Sequence, residues 1–493
     1  MIEAERTLHR TTSLCRVCKA GVEAHVTATP DGQVWMNKHC AEHGAERVRL
    51  STNATWYERT RAIRPIDAPP KHARPVEHGC PFDCGPCEQH TQKVRMPVVT
   101  ITSACDLDCP ICYVHNKNRD AFHMSPSEFA RVLDRLVEAY DGDVDLINLT
   151  GGEPLLHPDI VEIVAMCRRA GIHRVSVCTN GIRLVKDPAL FEALASLGTR
   201  FALSFDTFDP HVDKALQGAR LVDLKLQCLD LLESHAVDTT LIPVMTKGYN
   251  DREIGRILEL ALRLRCVRHV EVHTITYTGQ GGATFDRSGR ISTFEVLERI
   301  AETTSGLLGP DDFVPSPSAH PLCYQIAYLL DDEGGGRPVS FRRFLDADTL
   351  YQALGDHLYL EPNERLERAM QDAIARLWAE DGPEEARIVG MLDRLTRELF
   401  PTGRSLPREE SLRIAERAVK AVYVHSHMDE DTFDVERAAQ CCDSNSYADG
   451  RTIPVCNSNV LFRDKEPRFV EAPRAWGERS GGRLRLPLVP ERS

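Results

Sequence analysis

Short apolar runs in this chain alternate with longer stretches whose apolar residues recur every three or four positions, the pattern of strands followed by helices. A β-branched run predicts a strand over residues 98–102. Ser125-Pro126-Ser127-Glu128 then reads as a capping box with proline at the first helical position. Phe129, Val132, Leu133, Leu136, Val137 and Tyr140 give that helix one apolar face. A strand over 144–149 follows, then a glycine-rich turn and a helix from about 158 to a stop at Gly171. The unit repeats with a strand over 174–178 and a helix capped by Asp187, opened by Pro188 and stopped at Gly198. Further strands are predicted over 201–205, 239–245 and 269–275, separated by helical patterns near 221–232 and 251–264.

These segments make six β/α units, and parallel strands joined by crossover helices must bury both faces of their sheet. Eight units close a full barrel of this kind, so six predict an α/β fold with a partial, open (β/α)6 barrel. Its active face is expected at the C-terminal ends of the strands. Outside it the texture changes. Residues 1–60 read as a small cysteine-rich metal module, and residues 61–95 as a stiff Pro-rich linker carrying an auxiliary cysteine loop. The barrel occupies 96–280, and 281–330 connects it, with one cluster ligand, to the flexible break around Gly334 and Gly335. Residues 331–440 are predicted helical, with the stripe Leu366, Met370, Ile374 and Leu377. Residues 441–493 hold the last cysteines and, beyond residue 464, a flexible tail.

Length and charge narrow the function classes. At 493 residues the chain suits roughly two to four domains. A net charge of −13 argues against nucleic acid, whose sequence-independent binding needs a cationic footprint. No stretch approaches the ~20 apolar residues of a membrane span, so membrane contact is expected to be peripheral at most. The opening MIEAERTLHR lacks the apolar run of a secretory signal, and a cytoplasmic location is expected. There thiols stay reduced, so 17 cysteines point to metal rather than disulfides.

Cys167, Cys178, Cys228 and Cys266 lie inside apolar stripes and read as small core hydrophobes. Thirteen candidate ligands remain. Cys15, Cys18, Cys40 and His43 form a single-metal pattern, a rubredoxin-like or zinc-ribbon-like site for mononuclear Zn or Fe. Cys105-Asp106-Leu107-Asp108-Cys109-Pro110-Ile111-Cys112 follows the first barrel strand. Its C-x3-C-x2-C spacing can hold three irons of a [4Fe–4S] cube and leave the fourth open to a chelating substrate. Structural zinc, which prefers paired C-x2-C knuckles, fits that spacing poorly. Cys80, Cys84 and Cys87 repeat the spacing and predict an auxiliary [4Fe–4S] cluster, with Cys323 a candidate fourth ligand. Cys441, Cys442 and Cys456 could help close another. Two auxiliary cubes would need eight cysteines where seven are at hand, so one or two auxiliary clusters are expected, with Cys442 as readily a bystander.

The Cys105–Cys112 run resembles the signature of the radical S-adenosylmethionine (SAM) enzymes, and the likeness continues strand by strand. Gly151-Gly152-Glu153-Pro154 ends the second strand, where that superfamily binds the methionine amino group of SAM. Thr179 and Asn180 end the third, Ser204 and Asp206 the fourth, and Tyr113 matches an aromatic that lies near the adenine. The resemblance implies a SAM-binding [4Fe–4S] cluster on Cys105, Cys109 and Cys112, and one-electron cleavage of SAM to a deoxyadenosyl radical that abstracts hydrogen. It also implies an electron donor such as a ferredoxin or flavodoxin.

The ordered set of motifs across residues 10–460 is similar to the archaeal tetraether lipid synthase and its bacterial relatives, the group long described as pterin methylases. That set adds CPFDCGPC, Thr276-Tyr277-Thr278-Gly279, HPLCY and DGRTIPVC to the barrel signature. The likeness implies joining of sp³ alkyl carbons of lipid chains with help from an auxiliary cluster. The alternative is methyl or one-carbon transfer to a pterin-like or other small substrate. A non-catalytic iron–sulfur electron carrier is a further alternative, which would need no SAM site. Pocket chemistry separates the first two. A lipid chain requires an apolar tunnel at least ~15 Å long, built from stripes such as Leu366–Leu377, whereas a polar pocket points to one-carbon transfer.

Overall fold

A computed structural model describes residues 5–71, 73–85, 87–114, 121–142, 144–332, 336–380, 382–463 and 466. The expected tail beyond residue 464 and the glycines 334 and 335 of the predicted break lie outside the described residues, Glu466 excepted.

The N-terminal module is an antiparallel sheet of four strands, β1 (Arg6–Leu14), β2 (Gly21–Ala28), β3 (Val34–Cys40) and β4 (Gly44–Ser51), in that order. Alternating burial along β2 and β3 puts Ala24, Val26, Val34 and Met36 inside. The metal-ligand candidates sit in the turns at one end.

The six expected barrel strands are present: β5 (Met96–Thr102), β6 (Leu146–Gly151), β7 (Arg174–Thr179), β8 (Arg200–Ser204), β9 (Thr239–Ile242) and β11 (Val267–Thr274). All pair parallel in the order β5-β6-β7-β8-β9-β11. The strand expected over 239–245 is broken at Pro243, after which the short β10 (Val244–Met245) pairs with β11 alone. β5 is buried along its whole length because helices cover one face and the barrel interior the other. Ser125 caps the helix Pro126–Ala139 by accepting the Glu128 amide, one half of the expected capping box, and Asp187 caps Pro188–Ser196 through the Leu190 amide, as the sequence predicts.

The sheet is wider than six strands. Beyond β11, β15 (Val419–His425) pairs parallel with it, and β13 (Tyr324–Leu330) pairs antiparallel with β15. β12 (Val314–Pro315) and β14 (Val339–Ser340) flank β13. Before β5, β16 (Asp443–Ser446) pairs parallel and β17 (Thr452–Pro454) completes that edge. The region read as helical over 331–440 therefore contains a central strand. β15 was hidden because its apolar run, fully buried apart from Val419, directly continues the helix Arg408–Ala418.

The helices Ala347–Leu354, Glu364–Glu380 and Pro383–Leu399 pack on the outer face of β13 and β15. Leu366, Met370 and Leu377 are buried in that core beside Tyr328 and Tyr423, with Ile374 packed against them. The stripe expected to build a substrate opening is thus spent on packing. Below the strands, buried Arg174 joins Asp145, Glu361 and Glu416, and Glu416 also holds Arg200 at 2.6 Å.

Candidate active site

The cysteine loop leaves β5 and is pinned from both sides. Thr102 Oγ1 donates to the Phe122 carbonyl at 2.9 Å and accepts the Ala104 amide at 3.0 Å. The Ile111 amide reaches Leu216 O at 3.1 Å, and the Gly281 amide reaches Cys112 O at 2.8 Å. Glycine is required where β6 meets this loop. A Cβ on Gly152 would stand 2.1 Å from Ala104 O, and one on Gly151 equally close to Thr102 O. On the other side Gly279 has φ of +59°, and its Cβ would lie 2.4 Å from the Tyr113 carbonyl carbon. The GGE and TYTG glycines therefore serve the close approach of backbones around the cysteine loop.

Cys105, Cys109 and Cys112 line one cavity of about 260 Å³ at the C-terminal ends of the strands. Burial pushes the Cys105 thiol up to about 12, and Cys109 and Cys112 upward as well, so binding of iron to them would displace protons. Three thiols on one loop at this spacing fit a [4Fe–4S] cube with one open iron.

The SAM-site residues of the sequence reading surround the same cavity: Tyr113, Gly151, Gly152, Glu153, Thr179, Asn180, Ser204 and Asp206. Glu153 is fully enclosed, accepting the Asn180 amide at 2.8 Å and the Leu155 amide at 3.1 Å. Burial raises its pKa to about 7, against the pull of those hydrogen bonds. Asn180 in turn donates to Asp106 of the cysteine loop at 2.7 Å. Asp206 spends both oxygens inside the protein, on the Val244 amide and on Gln217. It braces the site.

The opposite wall was not foreseen. Glu271 and His273 project from β11, His425 ends β15, and His427 follows two residues later. His273 and His425 are direct register partners across the β11–β15 pair. Glu271 Oε1 accepts from His273 Nε2 at 3.0 Å and from His425 Nδ1 at 3.2 Å. Burial opposes the Glu271 charge, but those two bonds hold its carboxyl well below the usual range. His425 stacks on Tyr324 with centroids 3.8 Å apart, and His427 on Tyr113 at 5.9 Å. Tyr324 donates its hydroxyl to Asp443 of β16. The signals were Glu271-x-His273 and His425-x-His427, whose spacing of two places both members on one face of an extended chain. Cys178, expected in the core, also lines this cavity and donates to Asn148 at 3.1 Å. Cys167, Cys228 and Cys266 are core residues.

The remaining cysteines form three groups. Around the N-terminal site one ligand atom each from Cys15, Cys18, Cys40 and His43 lies within 4.8 Å of the others. Cys18 and Cys40 sulfurs are 3.8 Å apart, and His43 Nδ1 is 3.5 Å from Cys40. A tetrahedral zinc with ~2.3 Å bonds to sulfur separates its ligands by about 3.8 Å, so the set fits. Cys80, Cys84 and Cys87 line a small cavity against Pro454 and Asn457, whose amide donates to Cys84 at 2.9 Å. Burial pushes the Cys441 and Cys456 thiols up, and the neighbouring Cys323 adds to the rise in both. The buried Arg437 guanidinium donates to Cys323 at 3.4 Å. Cys442 is packed in the core beside them.

Residues 99–261 match the Radical SAM superfamily, and residues 7–52 match the HMPTM N-terminal zinc ribbon domain. Among curated proteins the chain is 24% identical to the 7,8-dihydro-6-hydroxymethylpterin dimethyltransferase of Methanocaldococcus jannaschii, over 95% of this chain and 96% of that protein. It is 32% identical to a probable GTP 3',8-cyclase of Aeropyrum pernix, over 36% of this chain and 50% of that one. Among solved structures, Streptococcus suis SuiB bound to S-adenosylmethionine is similar at 20% identity with a TM-score of 0.36, over 43% of this chain and 47% of SuiB. No described helix is long and apolar enough to cross a membrane.

Proposed function

Because this chain is a radical SAM enzyme, we propose that it activates a C–H bond of a small polar, pterin-like substrate and attaches a one-carbon unit there. When bound, the cluster and SAM supply a deoxyadenosyl radical by one-electron cleavage. In this reading Cys105, Cys109 and Cys112 anchor the cluster. The Gly151–Glu153 turn, Asn180 and Ser204 line the SAM place, and Tyr113 closes it toward His427. A ferredoxin or flavodoxin is the donor class that this chemistry requires.

One observation carries the choice of substrate: Glu271, His273, His425, His427 and Asp443 converge on the cavity wall that faces the cysteine loop. Apolar residues, among them Met96, Val98 and Ile111, make up much of the remaining lining. An apolar lining with a few convergent polar groups is the usual chemistry of a site for a small ring compound. Glu271 and Asp443 already have protein partners, but an alkyl chain would take water from the second ring nitrogens of His273 and His425 without returning hydrogen bonds, at a cost of roughly 1–3 kcal/mol for each. The buried Leu366–Leu377 stripe also supplies no lipid tunnel, so joining of lipid chains has less support than one-carbon transfer.

The test is anaerobic turnover with SAM, a low-potential reductant and 7,8-dihydro-6-hydroxymethylpterin, with mass analysis of the products. The expected result is deoxyadenosine and methionine from one SAM, together with a pterin heavier by a methyl group. That carbon comes from the S–CH3 bond of a second SAM, which leaves as S-adenosylhomocysteine after taking one electron from the reductant. An unchanged pterin alongside coupled alkyl chains in a parallel lipid reaction would overturn the reading.

A further inference from the structure

We propose that His273, His425 and His427 form a divalent-metal site in the barrel wall, separate from the cysteine sites and oriented by Glu271. One ring nitrogen from each histidine lies within 4.8 Å of the others. The ring centroids are 5.1 Å apart for His273–His427, 5.2 Å for His273–His425 and 4.0 Å for His425–His427. Three imidazoles on a metal with ~2.0–2.1 Å bonds have nitrogens about 3.3 Å apart, so modest ring rotations complete the set.

The hydrogen bonds separate an orienting nitrogen from a free one. A carboxylate only accepts, so His273 Nε2 and His425 Nδ1, both bonded to Glu271, must carry their protons. Ligating histidines characteristically donate their second nitrogen to a carboxylate in this way, which fixes ring orientation and raises ligand basicity. The remaining nitrogens, His273 Nδ1 and His425 Nε2, accept or donate no hydrogen bond among the described residues. His425 Nε2 stands 3.8 Å from Asp443 Oδ2. His427 uses Nδ1 toward Cys456 at 3.6 Å and leaves Nε2 without a hydrogen bond among the described residues.

Three imidazoles suit zinc or ferrous iron, and a three-histidine set leaves a coordination position for a further ligand. All three histidines line the cavity shared with the cysteine loop, so that position faces the substrate space. The site deepens the one-carbon reading: a metal there would grip a ring nitrogen or oxygen of the polar substrate and set its C–H bond against the SAM place. Metal binding is nevertheless measurable without turnover, so failure of the site and failure of the substrate reading are distinguishable.

The experiment uses full-length protein with its clusters reconstituted anaerobically, freed of loose metal by a chelating resin and titrated with Co²⁺. Wild type is expected to hold one equivalent of cobalt whose X-ray absorption shows nitrogen and oxygen neighbours with imidazole scattering and no sulfur. Any cobalt entering the Cys15–His43 site would show sulfur instead. His273→Ala and His425→Ala are expected to lose the sulfur-free equivalent while iron and sulfide contents stay at the wild-type level. Sulfur-free cobalt retained by both variants, or absent from wild type, would overturn the site. So would loss of iron and sulfide in His427→Ala, which would place that residue on an iron–sulfur cluster. If a variant fails to fold, the wild-type absorption spectrum decides.

Discussion

His425 Nε2 stands 3.8 Å from Asp443 Oδ2, although β15 and β16 are the outermost parallel strands at opposite ends of the sheet. Six strands lie between them along the hydrogen-bonded path. The sheet therefore curls until its two edges meet across the mouth, where side chains rather than a ladder close it. Tyr324, from the strand beyond β15, reinforces the closure through Asp443. Asp443→Ala is expected to leave Tyr324 and His425 facing a gap and to destabilise the fold by roughly 1–3 kcal/mol, read by chemical denaturation. Unchanged stability would mean that the edges do not support each other.

The Gly152 position tests how tightly β6 presses on the cysteine loop. Gly152→Ala places a methyl 2.1 Å from Ala104 O, and the loop must move. The expected cost is about 1–3 kcal/mol, with less iron retained per chain after reconstitution. A variant with full iron and native stability would show that the loop yields freely.

The N-terminal site is expected to be structural. Cys40→Ser removes a sulfur from a closed four-ligand set, so one metal ion per chain is lost and the melting temperature falls. Deoxyadenosine formation is expected to continue, because the site lies outside the barrel cavity. Abolished SAM cleavage with intact barrel clusters would assign it an electron-relay role instead.

Acid stability has a specific source at the foot of the barrel. Burial would raise Glu416, but Arg200 and Arg174 together hold its pKa at about 2. Its stabilising charge is fully present above the unfolded-state carboxyl value near 4.5 and is lost as pH falls through about 2. The shift corresponds to an order of 3 kcal/mol, and Glu416→Gln is expected to flatten the stability–pH curve over that window. An unaltered acid limb in the variant would place the acid sensitivity elsewhere.

The barrel and the cysteine loop were legible because both write themselves locally: β-branched runs, caps at Ser125 and Asp187, and ligands three or four residues apart. The far wall was not. Its members come from positions 271, 273, 324, 425, 427 and 443, and only the pairing of β15 with β11 and β13, and of β16 with β5, brings them together. Periodicity also misjudged β15, since a short buried strand directly after a helix has no pattern of its own. Cys178 was misplaced for a related reason. An inward-facing strand residue of a barrel is apolar-flanked whether it fills the core or lines the cavity.

Metal content separates the cysteine groups. If Cys80, Cys84 and Cys87 hold a cluster as Cys105, Cys109 and Cys112 do, reconstituted protein carries at least about eight irons, and Cys84→Ala about four fewer. Finding about four irons in the wild type would reduce the iron–sulfur complement to the SAM cluster alone.

The central claim is tested most directly by deoxyadenosine formation in the wild type and in Cys109→Ala, each reconstituted anaerobically and given SAM and a low-potential reductant. The wild type is expected to form deoxyadenosine and methionine, and the variant, left with two of the three loop thiolates, to form neither. Cleavage of SAM by Cys109→Ala at the wild-type rate would contradict the assignment of the site.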